Sequence, residues 1–274
     1  MHKQFFILGY PRSGTTLLRL MLNSHPEISV PPECGYLQWL TEKNKENKNN
    51  LEKQELLEQL LKCRKIENLC LSTKDFHSLP EKINLGFFFE YVQKKITQNQ
   101  NRFFIKWYGD KNNYYIHHID LIQQQFPQSK RIYMIRDIRD ILASYSKMRA
   151  EKITSNYAPN LEIDSLTIIE EWCDFVDAAF ADDQNIMIKY EDLLTSPIAS
   201  LTEICDALSL KYSSNMLKFY QNNDEPSDFL QWKQKTIGPL DGNNIGSYRE
   251  YVSKEDIELA TAKASQQMKK FSYL

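Results

Sequence analysis

The sequence predicts an α/β fold of three layers, in which a central parallel sheet is covered on both faces by helices. Two observations lead to this prediction. Short apolar runs typical of buried strands alternate with segments whose apolar residues recur at helical spacing. The first apolar run also leads through a glycine-bounded loop into a leucine-rich segment, in the order strand, loop, helix. Because 274 residues are within the range of one α/β domain, we expect a single domain over 1–274.

The predicted strands and helices alternate along most of the chain. Strands are expected near 4–8, 28–30, 103–106, 131–135 and 185–189. Helices are expected near 14–23, 86–99, 116–126, 138–145, 166–180, 201–208 and 257–268. Between 34 and 101 this alternation gives way to polar helical sequence rich in Lys, Glu, Asn and Gln. We interpret that stretch as a helical insertion at the ligand-binding edge of the sheet.

The composition argues against several classes of protein. The net charge of −2 differs from the basic excess of general nucleic-acid binders, so no nucleic acid is expected as a partner. The five scattered cysteines contain no C-x-x-C pair, and the adjacent His117 and His118 would project about 100° apart on a helix. No metal is therefore expected. No apolar stretch reaches transmembrane length and no secretory signal pattern begins the chain, so we expect a cytoplasmic protein without a membrane span.

The first loop has the spacing of a phosphate-binding loop. Gly9 and Gly14 are separated by four residues, as in the Walker A motif, and the loop joins a strand to a helix N-terminus. The lysine that follows the second glycine of that motif is replaced by Thr15, and a cation lies inside the loop as Arg12. The sequence therefore predicts a P-loop-like fold that binds phosphate without the Mg²⁺ system of an ordinary NTPase.

A second candidate phosphate site follows another predicted strand. Arg136 lies at the strand tip, where its planar guanidinium could bind a phosphate, and Ser144 lies about two helical turns later on the same side. Parallel strands place their carboxyl ends at one edge of the sheet. Two phosphate sites at neighbouring strand ends are suited to a nucleotide that is phosphorylated at two positions.

Several of these motifs resemble those of the sulfotransferases that use PAPS (3′-phosphoadenylyl sulfate). The stretch 9–19 resembles their 5′-phosphosulfate loop, and 136–144 resembles their 3′-phosphate motif. The segment 109–113, which contains Gly-Asp-Lys, resembles the carbohydrate and tyrosylprotein type of the family. The stretches 190–193 and 246–249 resemble later landmarks of the family. The resemblance spans nearly the whole chain and implies the α/β fold predicted above.

The resemblance also implies roles for the residues of the donor site. The residues that would hold the 5′-phosphate are Ser13, Gly14, Thr15 and Thr16. Arg12 would bind the phosphosulfate, Arg136 and Ser144 would bind the 3′-phosphate, and Tyr190 would lie near the adenosine. Some members carry a Lys or Arg pair before the glycine that Gly246 matches, but this chain has Asp-Gly-Asn-Asn at 241–244. Lys235 or backbone amides would have to replace that pair.

The catalytic residues implied by the resemblance are Glu33, Lys111 and Arg12. Glu33 matches the base of the tyrosylprotein-type enzymes, and Lys111 matches the lysine that contacts the transferring sulfuryl group. A base for the hydroxyl proton and cations near the leaving phosphate are what in-line sulfuryl transfer to an alcohol requires. The expected donor is PAPS, and the acceptor is an unidentified glycan, tyrosine or small-molecule alcohol.

Two other functions stay open at this point. A divergent P-loop kinase or NTPase is disfavoured by Thr15, and a non-catalytic nucleotide-binding module is disfavoured by the presence of Glu33 and Lys111 beside the loop. The acceptor is expected to be chosen by the insertion at 34–101, through Tyr36 and Trp39 in particular. Further aromatic candidates for the acceptor pocket are Trp107 and Trp232.

Overall fold

The structure is a computed structural model that describes residues 3–44, 51–153, 158–230 and 233–274. The strands within these ranges are β1 (Lys3–Leu8), β2 (Ile28–Ser29), β3 (Leu51–Glu52), β4 (Lys82–Ile83), β5 (Trp107–Lys111), β6 (Lys130–Ile135) and β7 (Asn185–Lys189). The helices are α1 (Thr15–Asn23), α2 (Tyr36–Lys43), α3 (Lys53–Leu61), α4 (Leu85–Asn99), α5 (Ile119–Gln125), α6 (Ile138–Ala150), α7 (Ser165–Ala181), α8 (Tyr190–Thr195), α9 (Pro197–Ala207), α10 (Ser227–Leu230), α11 (Tyr248–Tyr251), α12 (Lys254–Lys263) and α13 (Ser265–Lys270). Short 3₁₀ segments lie at Ile66–Leu69, Thr73–Phe76, Asn113–His117, Ser214–Asn222 and Gln234–Thr236.

The central sheet is parallel and has the strand order β2-β5-β1-β6-β7 over the described residues. Strand β1 lies in the middle, where it pairs with β5 on one side and with β6 on the other. Because all five strands run in the same direction, the loops that follow β1, β5, β6 and β7 meet at one edge of the sheet. The residues found there are Arg12, Asn112 and Arg136 in the loops after β1, β5 and β6, and Tyr190 at the start of the helix that directly follows β7.

Both faces of the sheet are covered, as the three-layer prediction requires. On β1, Phe6 and Leu8 belong to one buried apolar cluster, whereas Phe5 and Ile7 belong to a second one. Successive side chains of a strand point to opposite faces. The alternation of β1 between two clusters therefore means that helices pack on each side of the sheet, and the predicted fold class is confirmed.

The strand expected at 103–106 lies a few residues later, as β5. Phe103 and Phe104 are largely exposed, whereas all five residues of β5 are buried. The pairing of β5 with β1 explains the shift, because an added Cβ at Gly109 would come within 2.4 Å of the Phe5 ring. Only glycine allows β1 and β5 to pack this closely. The buried charges of β5 are accommodated by the partners described below.

The stretch 34–101 contains the helices α2, α3 and α4 and a small antiparallel sheet formed by β3 and β4. It is joined to the main core by aromatic contacts, such as the one between Phe89 of α4 and Phe6 of β1 at 5.8 Å between ring centroids. Phe88 and Phe89 are both buried. The stretch therefore packs against the sheet with its apolar face, as expected for an amphipathic layer.

Candidate active site

The loop after β1 adopts a strained conformation that places Arg12 at the edge of the sheet. Arg12 has φ of 75° and Gly14 has φ of 92°, in the left-handed region that side chains disfavour. Helix α1 begins directly after Gly14. A Cβ on Gly14 would come within 2.4 Å of the Tyr190 ring, so glycine is needed both for the turn and for the close approach of Tyr190.

Arg136 lies between β6 and α6, and the Asp137 side chain caps the first turn of α6 by accepting the Arg139 amide at 2.9 Å. The Arg136 Nη1 atom donates to the Arg12 carbonyl at 2.8 Å, and its guanidinium lies 4.5 Å from the centre of the Tyr190 ring. Arg12 Nε in turn donates to Ser144 Oγ at 2.9 Å. The structure thus brings together four residues that the sequence predicted, and we call this group (Arg12, Arg136, Ser144 and Tyr190) the arginine end.

The arginine end is charged and partly withdrawn from solvent, with Arg136 and Tyr190 buried and Arg12 and Ser144 partly buried. Burial and the nearby positive charge of Arg136 together lower the pKa of Arg12 to about 10. The Ser13 hydroxyl and Arg136 Nε are buried without a hydrogen-bond partner in the protein. Buried polar atoms of this kind are rare. Because Arg136 lines the cavity, its Nε atom is available to an acceptor that a ligand brings.

The remaining residues of the loop have different surroundings. Thr15 and Thr16 line the cavity described below, and Thr15 Oγ1 donates to Asn113 Oδ1 at 3.1 Å. Ser13 is almost fully buried, and its amide donates to the Tyr10 carbonyl at 3.0 Å within the turn. The Ser13 side chain does not line the cavity, unlike the neighbouring threonines.

Glu33 lies between two lysines. Its Oε1 atom accepts from Lys65 Nζ at 2.6 Å, and its Oε2 atom accepts from Lys111 Nζ. Burial favours the neutral acid, but the charges of Lys111, Lys65 and Lys233 outweigh it and hold the pKa of Glu33 well below its ordinary value. Glu33 is therefore a carboxylate at every physiological pH.

Lys233 and Lys65 were missed by the sequence analysis. Lys233 Nζ binds Glu225 at 2.6 Å, and both lysines lie over the Phe229 ring, at 4.6 Å and 5.2 Å from its centre. Burial lowers the pKa of Lys233 to about 8, although Glu225 opposes the shift. No spacing or motif indicated these lysines, because they come from segments that only the fold brings to Glu33. We call the group Glu33, Lys65, Lys111 and Lys233 the lysine end.

The lysine end is anchored in the core by a fully buried arginine. Arg19 of α1 forms ion pairs with Asp224 and Glu225, each at 2.7 Å, and donates to the Val30 carbonyl at 3.0 Å. Because Glu225 also binds Lys233, the helix that begins at the phosphate loop is linked to the lysine end through one carboxylate.

Asp110 precedes Lys111 but lies on the opposite side of β5. It accepts hydrogen bonds from the Tyr115 hydroxyl and, at 2.9 Å, from the Lys111 amide. Burial raises the pKa of Asp110 to about 7, against the effect of these two donors. Since strand neighbours point to opposite faces, only Lys111 of this pair reaches Glu33.

One cavity of about 880 Å³ contains residues of both ends, including Arg12, Ser144 and Tyr190 at the arginine end and Glu33, Lys65 and Lys111 at the lysine end. Of the predicted aromatic candidates, Trp39 lines the cavity. Tyr36 is only 1% exposed and stacks on Phe89 in the core, so its assignment to the acceptor wall is wrong. Trp107 is also buried, and it donates to the Leu208 carbonyl at 2.8 Å. Trp232 lies outside the described residues.

Lys235 lines the cavity too, and its ammonium forms an ion pair with Asp241. Within the described ranges, no group of three or more His, Cys, Asp and Glu side chains is arranged to hold a metal ion. His118 instead lies 3.4 Å from Glu42. None of the described helices is long and apolar enough to cross a membrane.

The sequence profile of the sulfotransferase family matches residues 4–214, which is well over half of the chain. This chain belongs to the sulfotransferase family. Protein-tyrosine sulfotransferase 2 of Gallus gallus is 25% identical to it over 220 residues, which make up 77% of this chain and 52% of the chicken protein. This sulfotransferase therefore spans about half the length of that relative.

Solved structures of sulfotransferases have the same fold as this chain. The sulfotransferase domain of the olefin synthase from Synechococcus PCC 7002 has a TM-score of 0.62 and 23% identity, with 96% of each chain covered. The mouse sulfotransferase SULT7A1 in complex with PAP has a TM-score of 0.50 and 13% identity, with 97% of this chain and 84% of the mouse chain covered. The predicted P-loop-like fold of this sulfotransferase is thus confirmed, and the family match favours a sulfotransferase over the kinase and NTPase alternatives.

Proposed function

We propose that this sulfotransferase moves the sulfuryl group of PAPS to a hydroxyl group of its acceptor. The observation that carries the proposal is a cavity in which two contacting arginines lie at one end and a carboxylate between lysines lies at the other. Two relatives support it. The mouse structure contains PAP, the desulfonated form of PAPS, and the chicken relative is named for transfer to protein tyrosine.

The arginine end provides the groups that a nucleotide with a 3′- and a 5′-phosphate needs. Arg136 and Ser144 would bind the 3′-phosphate, and the loop residues Arg12, Thr15 and Thr16 would bind the phosphosulfate. The unpartnered Arg136 Nε is suited to such an acceptor oxygen, since arginine binds phosphate through its planar fork. Tyr190, which already supports Arg136, would lie beside the adenosine.

The lysine end provides the groups that act on the reacting atoms. The acceptor oxygen forms a bond to sulfur while the bond between sulfur and the phosphate oxygen breaks, and PAP leaves with both electrons of that bond. The acceptor proton goes to Glu33. Lys111 and Arg12 stabilise the negative charge that develops on the sulfuryl oxygens and on the leaving phosphate.

The low pKa of Glu33 determines how it can act as a base. A strongly ion-paired carboxylate is always ready to accept a proton but is weakly basic. Proton transfer to Glu33 must therefore accompany formation of the bond from oxygen to sulfur, when the hydroxyl becomes acidic. When Lys111 interacts with the sulfuryl group, its ion pair with Glu33 weakens. The pKa of the Glu33 carboxylate then rises, and the carboxylate becomes more basic.

The acceptor would enter on the side of the lysine end, between the stretch 34–101 and the segment that carries Phe229 and Lys233. Trp39 and Phe229 both contribute aromatic surface to the cavity, and Phe229 lies beside Lys65 and Lys233. A hydroxyl seated beside Glu33 would meet aromatic faces together with lysine charges. This setting accommodates a phenol, a sugar or a small alcohol.

A screen with PAPS that carries radiolabelled sulfur tests the proposal directly. Tyrosine peptides, oligosaccharides and small-molecule alcohols are each incubated with the wild type and with Glu33→Gln. The proposal predicts that label appears on one of these classes with the wild type and is strongly reduced with the variant. Glu42→Gln is the matched control, since Glu42 lines the same cavity but contacts Gln38 and His118. Label on no hydroxyl compound, or equal labelling by Glu33→Gln, would contradict the proposal.

A further inference from the structure

Asp140 lies in α6 between two residues of the arginine end in the sequence. Arg136 precedes the helix by two residues, whereas Asp140 and Ser144 are four residues apart within it and therefore lie on the same helix face. Asp140 is only 2% exposed. A carboxylate buried between two proposed phosphate-binding residues is unexpected, because its charge opposes that of a phosphate.

The hydrogen bonds of Asp140 explain its presence. Its Oδ2 atom accepts the Gly246 amide at 2.7 Å, and its Oδ1 atom accepts the Tyr248 amide at 2.9 Å and the Ser247 hydroxyl at 3.3 Å. One side chain thus binds three consecutive residues, Gly246, Ser247 and Tyr248, where the preceding segment leads into α11. Three donors also disperse the negative charge of the carboxylate.

The segment bound by Asp140 forms one wall of the arginine end. Asn244 and Ser247 line the cavity, and the Asn244 carbonyl accepts from Arg136 Nη2 at 3.4 Å. Gly246 has φ of 74°, so the chain turns back at a conformation that glycine adopts without strain. The Tyr248 ring also contacts Arg139, whose guanidinium carbon lies 4.4 Å from the centre of the ring.

We infer that Asp140 is a positioning residue that holds the segment 243–248 against α6 and so completes a site for the 3′-phosphate of an adenosine nucleotide. This inference rests on the proposed function. Asp140 already binds the Gly246 and Tyr248 amides, so these amides are not available to the nucleotide. The residues of the segment that contact the nucleotide are therefore Asn244 and Ser247, which line the cavity. Lys235 cannot fully replace the missing basic pair, since its ammonium is shared with Asp241.

The test compares the binding of PAP and of AMP, which lacks the 3′-phosphate, to Asp140→Asn by calorimetry. An amide cannot accept all three hydrogen bonds, and the loss of a buried charged acceptor should weaken PAP binding by about tenfold or more. AMP binding should change by less than about twofold, because the 5′-phosphate loop is untouched. The matched control is Asp75→Asn, since Asp75 also accepts a backbone amide and a hydroxyl, both from Ser72, and does not line the cavity. This control should leave the ratio of the two affinities unchanged.

Two further measurements keep the inference falsifiable if Asp140→Asn folds poorly. Gly246→Ala strains the same turn without touching Asp140 and should also reduce the preference for PAP over AMP. Hydrogen exchange of the ligand-free protein should show slow exchange of the Gly246 and Tyr248 amides in the wild type, with marked acceleration in Asp140→Asn. If the amides exchange equally in both proteins, or if both variants keep the wild-type preference, the inference is wrong. If the wild type itself has no preference for PAP over AMP, it is the proposed function that fails.

Discussion

The arginine end and the lysine end of the cavity are held together in different ways. At the arginine end, the positive charges of Arg12 and Arg136 lie close to each other, and the two side chains contact a carbonyl, a hydroxyl and an aromatic ring. At the lysine end, Glu33 binds Lys111 and Lys65, and Glu225 binds Lys233. Two neighbouring arginines are suited to an anion that arrives as a ligand, whereas lysines paired with carboxylates are suited to moving a proton and stabilising charge for a moment.

This contrast predicts that substitutions at the lysine end affect turnover and those at the arginine end affect nucleotide affinity. The largest effect is expected for Glu33→Gln. Glutamine keeps the shape of the side chain but cannot take the proton from the hydroxyl group of the acceptor. Turnover should fall by roughly 10²–10⁴-fold, the usual contribution of a positioned base. Steady-state rates and PAP titrations should show that PAP affinity is nearly unchanged. A variant with the full rate on the true acceptor would mean that another residue is the base.

The two lysines that bind Glu33 should differ from each other. Lys111→Ala should lower the single-turnover rate by about 10²–10³-fold, since a charge is lost from the transition state. Lys65→Ala should lower it by only about tenfold, because Lys65 acts through the position of Glu33. Single-turnover experiments with saturating PAPS measure both rates. Equal losses in the two variants would show that Lys111 also acts only by holding Glu33.

At the arginine end, Arg136→Ala should weaken PAP binding by about 10- to 100-fold, which corresponds to the loss of charge-assisted hydrogen bonds. AMP binding should change little, and Arg136→Lys should be intermediate because lysine keeps the charge without the planar fork. Calorimetry with both nucleotides measures the preference. If Arg136→Ala weakens PAP and AMP by the same factor, Arg136 holds the loop at Arg12 rather than the 3′-phosphate.

The smallest effect concerns Asp110, the buried carboxyl behind the lysine end. Its pKa is raised to about 7 in the folded protein from an ordinary value of 3.8. The folded state therefore binds the proton more tightly, and this contribution to stability is complete at low pH and is lost as the pH rises through about 7. Asp110→Asn stays neutral, so its melting temperature should exceed that of the wild type by about 2–4 °C above neutral pH and approach it near pH 4. Thermal unfolding across this range measures the difference, and a difference independent of pH would contradict the pKa.

The arginine end could be predicted from the sequence because its geometry is local. Arg12 and Gly14 lie in a turn between a strand and a helix, Arg136 directly follows a second strand, and Ser144 lies in the helix after it. Once the sheet is parallel, these positions must meet at its edge. The prediction of a strand at 103–106 was wrong. Phe103 and Phe104 have the apolar character of core residues but are exposed, and the strand is formed by β5, in which Gly109 packs tightly on Phe5.

The lysine end could be predicted only in part. Glu33 follows β2 and Lys111 is the last residue of β5, so both lie at the same edge of the sheet as Arg12 and Arg136. Lys65 reaches Glu33 from the stretch 34–101, and Lys233 reaches it through an ion pair with Glu225, itself fixed by Arg19. Such contacts depend on how distant segments pack, and no periodicity in the sequence encodes them. Tyr36 illustrates the same limit, since its aromatic ring fills the core rather than the cavity.

The central claim is that the arginine end binds a nucleotide with both a 3′- and a 5′-phosphate. Calorimetric titration of the wild type with PAP, AMP and ATP, in the presence of EDTA and again with Mg²⁺, tests this claim most directly. We predict that PAP binds at least about tenfold more tightly than AMP or ATP and that Mg²⁺ does not change this order, because Thr15 replaces the Walker lysine and the cation of the loop is Arg12. Equal binding of PAP and AMP, or tight binding of ATP that requires Mg²⁺, would contradict the claim.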